Sequence, residues 1–162
     1  MKKFLSVVFI AIFVLTLVSC GAAKPKDFSA EGITITLTSD FKKQNQEGYT
    51  LCYASPKVAV FMVKEAFSLQ AGMEDWTLDY YADLVFDANA SKNPDEISKE
   101  DGLTTMEYSF FNEEKNTTYK YFSAMYKAED AFWIVQFACE ADDYEASKAS
   151  FVEWAKTVKF GA

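Results

Sequence analysis

Alternating apolar and polar positions predict a series of β-strands in the chain beyond residue 31. Residues 32–37 alternate aliphatic side chains with threonines, a period of two that is typical of a half-buried strand. Pro56 lies in a short turn between two further strand-like runs, which we therefore expect to form a hairpin. The strand-like runs after the first are residues 49–54, 58–64, 103–111, 117–126 and 132–139. The last run is apolar on both faces apart from Gln136, which predicts a central strand that is covered on both sides.

Residues 76–89 change to the period of an amphipathic helix, and either Thr77 or Asp75 can cap its first turn. Every fourth position on one side of this helix is an aspartate. Carboxylates that are spread along a helix cannot converge on one ion, so we expect them to face solvent rather than to bind a cation. The apolar face consists of Leu78, Tyr81, Ala82, Val85 and either Ala88 or Asn89, and the acidic face of Asp79, Asp83 and Asp87.

A second helix is predicted after residue 140. Asp142 and Glu145 have the spacing of a capping box, and Gly161 suits the end of the helix. Its buried stripe consists of Tyr144, Phe151, Ala155 and Val158. The order of elements is therefore strand, hairpin, helix, three-stranded meander and helix. An antiparallel sheet of about six strands, apolar on two sides and flanked by helices, indicates an α/β (α+β) domain built as an α/β/α sandwich.

This order of elements resembles the PsbP-like fold family. The likeness rests on residues 33–41 (ITITLTSDF) and on the FWIVQ strand at 132–136, which leads into Tyr144, Phe151 and residues 158–160. It covers nearly all of residues 31–160. The family is known from extrinsic subunits of photosystems and from bacterial lipoproteins of the DcrB and LpqN type. It has no shared catalytic residues, so the resemblance implies a fold and assigns no site.

Residues 1–19 have the layout of a signal peptide. Lys2 and Lys3 precede an apolar run, residues 4–18, which spans roughly 22 Å as a helix and is shorter than a hydrocarbon core of ~30 Å. The run closes in LVSCG, residues 17–21, which resembles the bacterial lipobox, where a cysteine receives diacylglycerol before cleavage. The resemblance implies that Cys20 is the lipid-attachment residue. The alternative is an ordinary secretory peptide with a cysteine at this position by chance.

Lipid on Cys20, rather than charge, is expected to hold the protein on the membrane. The chain from Cys20 onward carries 14 lysines against 24 carboxylates, a net charge of −10 that anionic headgroups repel. Residues 20–31 are expected to form the lipidated cysteine and a short tether, and residues 32–162 a single globular domain. We expect the domain on the extracytoplasmic face of a bacterial cell membrane. The all-lysine composition favours a Gram-positive membrane over an outer membrane.

The residue types that are missing exclude most enzyme chemistry. The chain has no histidine, and all 16 basic residues are lysines. Histidine-dependent nucleophilic sites and imidazole zinc sites are therefore excluded, as is the bidentate guanidinium grip on phosphate. No glycine-rich phosphate loop is present, and an acidic chain without a basic stripe does not favour nucleic acid. We expect no enzymatic activity, no cofactor and no metal.

Two further cysteines, Cys52 and Cys139, lie inside strand-like runs. Export permits a disulfide between them. A cysteine in such a run also packs well as a small buried hydrophobic residue. We favour two buried free thiols, with the disulfide as the alternative.

The leading functional hypothesis is a non-enzymatic module that binds, or helps to assemble, another protein of the cell envelope. Its candidate contact residues are Tyr49, Tyr53, Tyr119 and Tyr121, because tyrosine combines a large contact area with a polar tip. The alternative, which we favour, is that the same four side chains cover the sheet beneath the helices. The second hypothesis is a small-ligand-binding lipoprotein that serves a transporter or a sensor. A third, an enzyme that uses two carboxylates, lacks any motif that brings such a pair together.

Overall fold

The computed structural model describes residues 23–161, so the predicted signal peptide and Cys20 lie outside the described residues. Two α-helices are present in this range, α1 (Leu78–Ala88) and α2 (Ala141–Lys156). Within the same range, no helix has the length and hydropathy that crossing a membrane requires. The strands are β1 (Pro25–Ala30), β2 (Ile33–Thr38), β3 (Lys42–Gln44), β4 (Leu51–Ala54), β5 (Ala59–Ala66), β6 (Thr104–Asn112), β7 (Thr117–Lys127), β8 (Ala131–Glu140) and β9 (Lys159–Phe160).

A six-stranded sheet forms the centre of the fold, with the strand order β3-β4-β5-β8-β7-β6. All of its neighbouring strands are antiparallel. Every residue of β8 except Glu140 is buried, which confirms the prediction of a central strand covered on both sides. The hairpin around Pro56 is also confirmed, because β4 pairs with β5 from Ala54↔Ala59 outward.

The two helices cover opposite faces of this sheet, which confirms the α/β/α sandwich. Helix α1 buries Tyr81, Ala82 and Val85 in one cluster. The Tyr81 ring stacks on the Phe132 ring there, with their centroids 4.1 Å apart. Helix α2 packs on the other face, where the Phe151 ring stacks on the Phe137 ring with their centroids 5.4 Å apart. The side chains of consecutive β8 residues point to opposite faces, so this one strand contributes to both clusters.

A second, three-stranded sheet of order β1-β2-β9 corrects the expected tether. Residues 20–31 were expected to be a tether, but Pro25–Ala30 pair with β2 from Pro25↔Thr38 to Ala30↔Ile33. A tight turn makes this pairing possible, since Glu31 and Gly32 both have positive φ, 53° and 85°. Phe28 is the large apolar residue of β1, and its ring packs against the Tyr53 ring with their centroids 5.0 Å apart.

The edge of the main sheet also differs from the expectation. The first predicted strand, residues 32–37, lies in the small sheet as β2, and the main sheet instead gains β3 at its edge. Strand β3 has the sequence Lys-Lys-Gln and all three side chains are exposed. It contains no apolar residue, so no alternation of apolar and polar positions could indicate it.

The helix boundaries confirm one predicted cap and correct two others. The Tyr80 backbone N–H donates to Thr77 Oγ1 at 3.1 Å, so Thr77 caps α1 as predicted. The predicted capping box of α2 is wrong, because Glu140 is the N-cap residue and makes no capping side-chain hydrogen bond. Gly161 does not end the helix either. Helix α2 ends at Lys156, five residues before Gly161, and the hydroxyl of its C-cap residue Thr157 donates to the Trp154 carbonyl at 2.6 Å.

The acidic face of α1 is solvated, as predicted. Asp79, Asp83 and Asp87 are all exposed. Asp79 pairs with Lys99 at 2.8 Å across the surface. Among residues 23–161 there is no group of three or more cysteines or carboxylates that could hold a metal ion.

Candidate functional site

The two thiols of the domain are free and buried, and they lie on opposite faces of the main sheet. Cys52 packs with Phe61 and Ala138 on the face that carries α1. Cys139 belongs to the core under α2. The alternative of a disulfide is therefore wrong, since the sheet itself separates the two sulfur atoms.

Burial also makes both thiols poor nucleophiles. It raises the pKa of Cys52 to about 11 and, as the largest of several influences, that of Cys139 to about 11. At neutral pH only about one molecule in ten thousand then carries a thiolate at either position. A catalytic thiol is not supported by this geometry.

An aromatic surface occupies the half of the α1-side sheet face that α1 leaves uncovered. It consists of Tyr49, Phe110, Tyr119 and Tyr121, all of them half-buried. The register between β6 and β7 places Tyr119 directly beside Phe110. The Tyr49 ring packs on the Phe61 ring, with their centroids 4.6 Å apart. Three of the four tyrosines that were candidate contact residues therefore lie on one surface.

A buried polar cluster next to this aromatic surface supports one of its rings, that of Tyr121. The Tyr108 ring stacks on that of Tyr121, with centroids 4.8 Å apart and an interplanar angle of 7°. The Gln136 side-chain amide donates to the Tyr108 hydroxyl at 2.9 Å and to Ser123 Oγ at 3.3 Å. Burial, aided by the nearby Tyr119, raises the pKa of Tyr121 to about 12, and burial raises that of Tyr108 as well. These phenols stay neutral at physiological pH and can serve as hydrogen-bond donors.

Tyr53 does not belong to the aromatic surface. Its side chain is only 4% exposed and lies in the core on the opposite face, against Phe28. Tyr108, by contrast, was not singled out from the sequence. Its role follows from the register Tyr108↔Tyr121, which the spacing of residues along the chain does not reveal.

A cavity of about 490 Å³, the edge pocket, lies beside β6 at the far edge of the main sheet. Residues 90–95 form its outer wall, where the Asp95 backbone N–H donates to the Glu107 carbonyl at 2.8 Å. Lys92 contributes an ammonium group that donates to Asn89 Oδ1 at 2.8 Å and lies 4.7 Å from the centre of the Tyr108 ring. The lining consists of two lysines, Lys92 and Lys120, one carboxylate, Asp95, two aromatic rings, Tyr108 and Phe111, and the polar residues Asn93, Ser109 and Thr118.

The charges around the edge pocket favour a ligand with one negative charge over a ligand with two or more. Burial lowers the pKa of Lys92, so this ammonium group is costly to keep charged without an anion. The Lys120 ammonium group already forms ion pairs with the carboxylates of Glu107, at 3.3 Å, and Glu145, at 3.7 Å. Among the residues that line the pocket, Asp95 is the one carboxylate. A glycosidase needs two carboxylates, so the lining does not support that activity.

Comparison with known proteins identifies the fold. The solution structure of cyanobacterial PsbP (CyanoP) from Synechocystis sp. PCC 6803 matches with a TM-score of 0.56 and 11% identity, over 89% of this chain and 98% of that chain. A crystal structure from Bacteroides thetaiotaomicron VPI-5482 matches with a TM-score of 0.51 and 13% identity, over 85% of this chain. This chain spans 48% of the length of that second protein. The expected PsbP-like fold is thereby confirmed.

Sequence comparison adds nothing to this assignment. No family model matches the chain, and no curated protein matches it. At 11–13% identity the two structures establish a shared fold and carry no residue roles.

Proposed function

We propose that the protein is a non-enzymatic binding or assembly module of the bacterial cell envelope, held on the extracytoplasmic face of the membrane by lipid on Cys20. The signal-peptide pattern of residues 1–19 and the lipobox-like LVSCG sequence support the anchor. The PsbP-like fold and the burial of both remaining thiols support a role in binding rather than in catalysis.

The aromatic surface is the observation that carries this proposal. Three tyrosines and Phe110 lie together on one half of a sheet face, and the buried, hydrogen-bonded Tyr108 ring stacks on one of them, Tyr121. Tyrosine and phenylalanine are enriched at protein interfaces, where a rigid ring gives contact area at a small cost in conformational entropy. A protein partner in the same membrane would bind across Tyr119 and Tyr121.

Site-directed photocrosslinking in native membranes tests the aromatic surface. With a photoreactive phenylalanine analogue at Tyr119, we expect one reproducible crosslinked protein, because this ring would lie inside the interface. Tyr80 is the matched control, as it is a tyrosine on α1 that is 49% exposed and outside the aromatic surface. The same partner captured equally from both positions, or from neither, contradicts the assignment.

A small-ligand-binding lipoprotein is the second candidate function, and the edge pocket is what favours it. Its volume lies in the range of about 300–1,000 Å³ that is usual for ligand sites, and it combines aromatic walls with a few polar groups. Lys92 is suited to a carboxylate on an organic molecule with an apolar body.

Thermal denaturation in the presence of small aromatic and aliphatic carboxylates tests this second function. A ligand at about 100 times its Kd stabilises the folded state by about 2.7 kcal/mol, which raises the melting temperature by several degrees. Lys92→Gln should abolish this shift, whereas Lys99→Gln, on the exposed surface, should retain it. An unchanged melting temperature across the carboxylates, or an equal shift in the Lys92→Gln variant, contradicts the pocket's assignment.

A further inference from the structure

The structure leaves a much shorter tether than the sequence indicates. Lys24 is already fixed to the domain, because its carbonyl accepts from the Ser39 N–H at 2.7 Å and its own N–H donates to Ser39 Oγ at 3.2 Å. Three residues, 21–23, separate it from Cys20. The four peptide units between these two Cα atoms span at most about 14 Å. A lipid on Cys20, on which this inference rests, would therefore bring the Lys24 end of the domain directly to the membrane surface.

Four exposed lysines surround the point where the tether enters, and we call them the basic face: Lys24, Lys26, Lys42 and Lys43. The first two lie at the start of β1, and Pro25 pairs with Thr38 at the end of β2. A tight turn, in which the Phe41 N–H donates to the Thr38 carbonyl at 3.2 Å, then returns the chain to β3. Lys42 and Lys43 therefore begin β3 three and four residues after Ser39, the residue that bonds to Lys24, and their side chains leave the exposed sheet edge on opposite sides.

The basic face carries an excess of positive charge in a protein that is acidic elsewhere. Within residues 23–161, none of its four ammonium groups is ion-paired, whereas six lysines elsewhere in the domain pair with carboxylates. The carboxylates nearest in sequence are Asp27, which accepts from the Thr36 hydroxyl at 2.6 Å, and Asp40. Four cations against two anions contrast with the net charge of −10 from Cys20 onward.

We propose that the basic face lies against the anionic phospholipid headgroups of the membrane that holds the anchor. Lysines close to an anionic bilayer are attracted to it within about one Debye length, about 8 Å at physiological salt, and the short tether allows the basic face to come that close. The contact fixes the orientation of the domain. Strands β3 and β6 form opposite edges of the main sheet, five strand spacings or roughly 24 Å apart, so the edge pocket faces away from the membrane.

The position of Lys42 and Lys43 on an edge strand has a second possible cause. Lysines on an exposed edge also prevent strand-to-strand association between copies of a protein. That cause applies to β3 alone and accounts for neither Lys24 nor Lys26, whose strand β1 lies in the other sheet. It also predicts no dependence on lipid charge, which separates the two explanations by experiment.

Amine labelling of the mature lipoprotein in vesicles tests the basic face. The protein, expressed as the complete precursor and purified from membranes, is reconstituted into phosphatidylcholine vesicles with and without phosphatidylglycerol. Each lysine on the outer surface is then labelled with a membrane-impermeant amine reagent and quantified by peptide mass spectrometry. We expect labelling of the basic face to fall at least about threefold with phosphatidylglycerol and to recover at high salt, because salt screens the attraction. Lys99 and Lys159 are exposed elsewhere and should label equally in both.

Charge reversal provides the matched control for this labelling. Lys42→Glu with Lys43→Glu should remove the protection of Lys24 and Lys26, whereas Lys99→Glu with Lys159→Glu changes the net charge equally and should leave it intact. Thermal melts of both variants check that the fold is retained. Equal labelling of the basic face in the two kinds of vesicle, or protection that high salt does not reverse, overturns the proposal.

The mass of the amino-terminal peptide separates failure of the anchor from failure of the basic face. An unmodified Cys20 would refute the lipid anchor of the proposed function. The basic face is then tested by coupling Cys20 to a maleimide lipid in the same vesicles, which is selective because Cys52 and Cys139 are 5% and 2% exposed. Labelling that depends on phosphatidylglycerol in the coupled protein supports the basic face, and labelling that does not refutes it.

Discussion

Replacing Cys20 by serine is expected to abolish maturation, leaving a precursor that retains residues 1–19. The thiol is the group that would receive diacylglycerol, and a serine hydroxyl does not replace it in that reaction. Each buried acyl methylene contributes about 0.8 kcal/mol to membrane binding, so loss of the lipid removes nearly all the attraction. Immunoblots of whole cells and of separated membranes measure both the size of the protein and where it is found.

Two further chains make this experiment decisive. Cys52→Ser changes a cysteine that is buried in the domain and should mature like the unaltered protein. A chain in which an ordinary secretory signal peptide replaces residues 1–19 and serine replaces Cys20 should be released from the membrane. Its body carries a net charge of −10, and the basic face alone provides only four lysines. Retention of this chain on the membrane to the same extent as the unaltered protein is the contrary result.

Phe137→Ala is expected to destabilise the domain by about 3–5 kcal/mol, the largest effect that we predict for a single core substitution. Phe137 is fully buried in β8. The centroid of its ring lies 6.2 Å from that of Phe122, 5.4 Å from that of Phe151 and 6.0 Å from that of Trp154. Truncation would leave a cavity between the sheet and α2 that the surrounding rings cannot close. Such a loss is a large part of the 5–15 kcal/mol that is usual for the total stability of a domain.

Urea unfolding, followed by tryptophan fluorescence, measures this loss. The chain from residue 20 onward with Cys20→Ser avoids the need for detergent. Phe111→Ala is the control, because that ring is 52% exposed and its removal should change the free energy of unfolding by less than about 0.5 kcal/mol. Equal unfolding midpoints for the two variants would show that α2 does not pack on β8 as described.

The elements that could be predicted from the sequence are those with a strong apolar period. Strand β8 was expected to be covered on both sides, because its residues are apolar at odd and even positions alike, and only Glu140 is exposed. Helix α1 was expected from the spacing of Tyr81, Ala82 and Val85, all of which are buried. The PsbP-like order of elements follows once these segments and the β4–β5 hairpin are in place.

The elements that could not be predicted are held by pairing rather than by their own side chains. Strand β9 has two residues, Lys159 and Phe160, and exists because they meet Ile33 and Thr34 of β2. Strand β3 has three exposed polar residues beside β4. Strand β1 has one large apolar side chain, Phe28, in six residues. In each case the partner strand supplies the reason for the structure, and the local sequence does not contain it.

The candidate site was predicted in part for a related reason. Tyr119 and Tyr121 are two residues apart on one strand, so alternation places them on the same face. Tyr53 lies on another strand, and only the register between strands decides its face. The same holds for Tyr108, which meets Tyr121 across β6 and β7. The edge pocket depends on residues 90–95 passing along β6, a path that no periodicity indicates.

Intact-mass and fragment analysis of the protein purified from its native membrane is the most direct measurement of the central claim. The claim predicts a mature chain whose first residue is Cys20, with a diacylglycerol group in thioether linkage on its sulfur. A chain that keeps residues 1–19, or one that begins at or near residue 20 with an unmodified thiol, would contradict it.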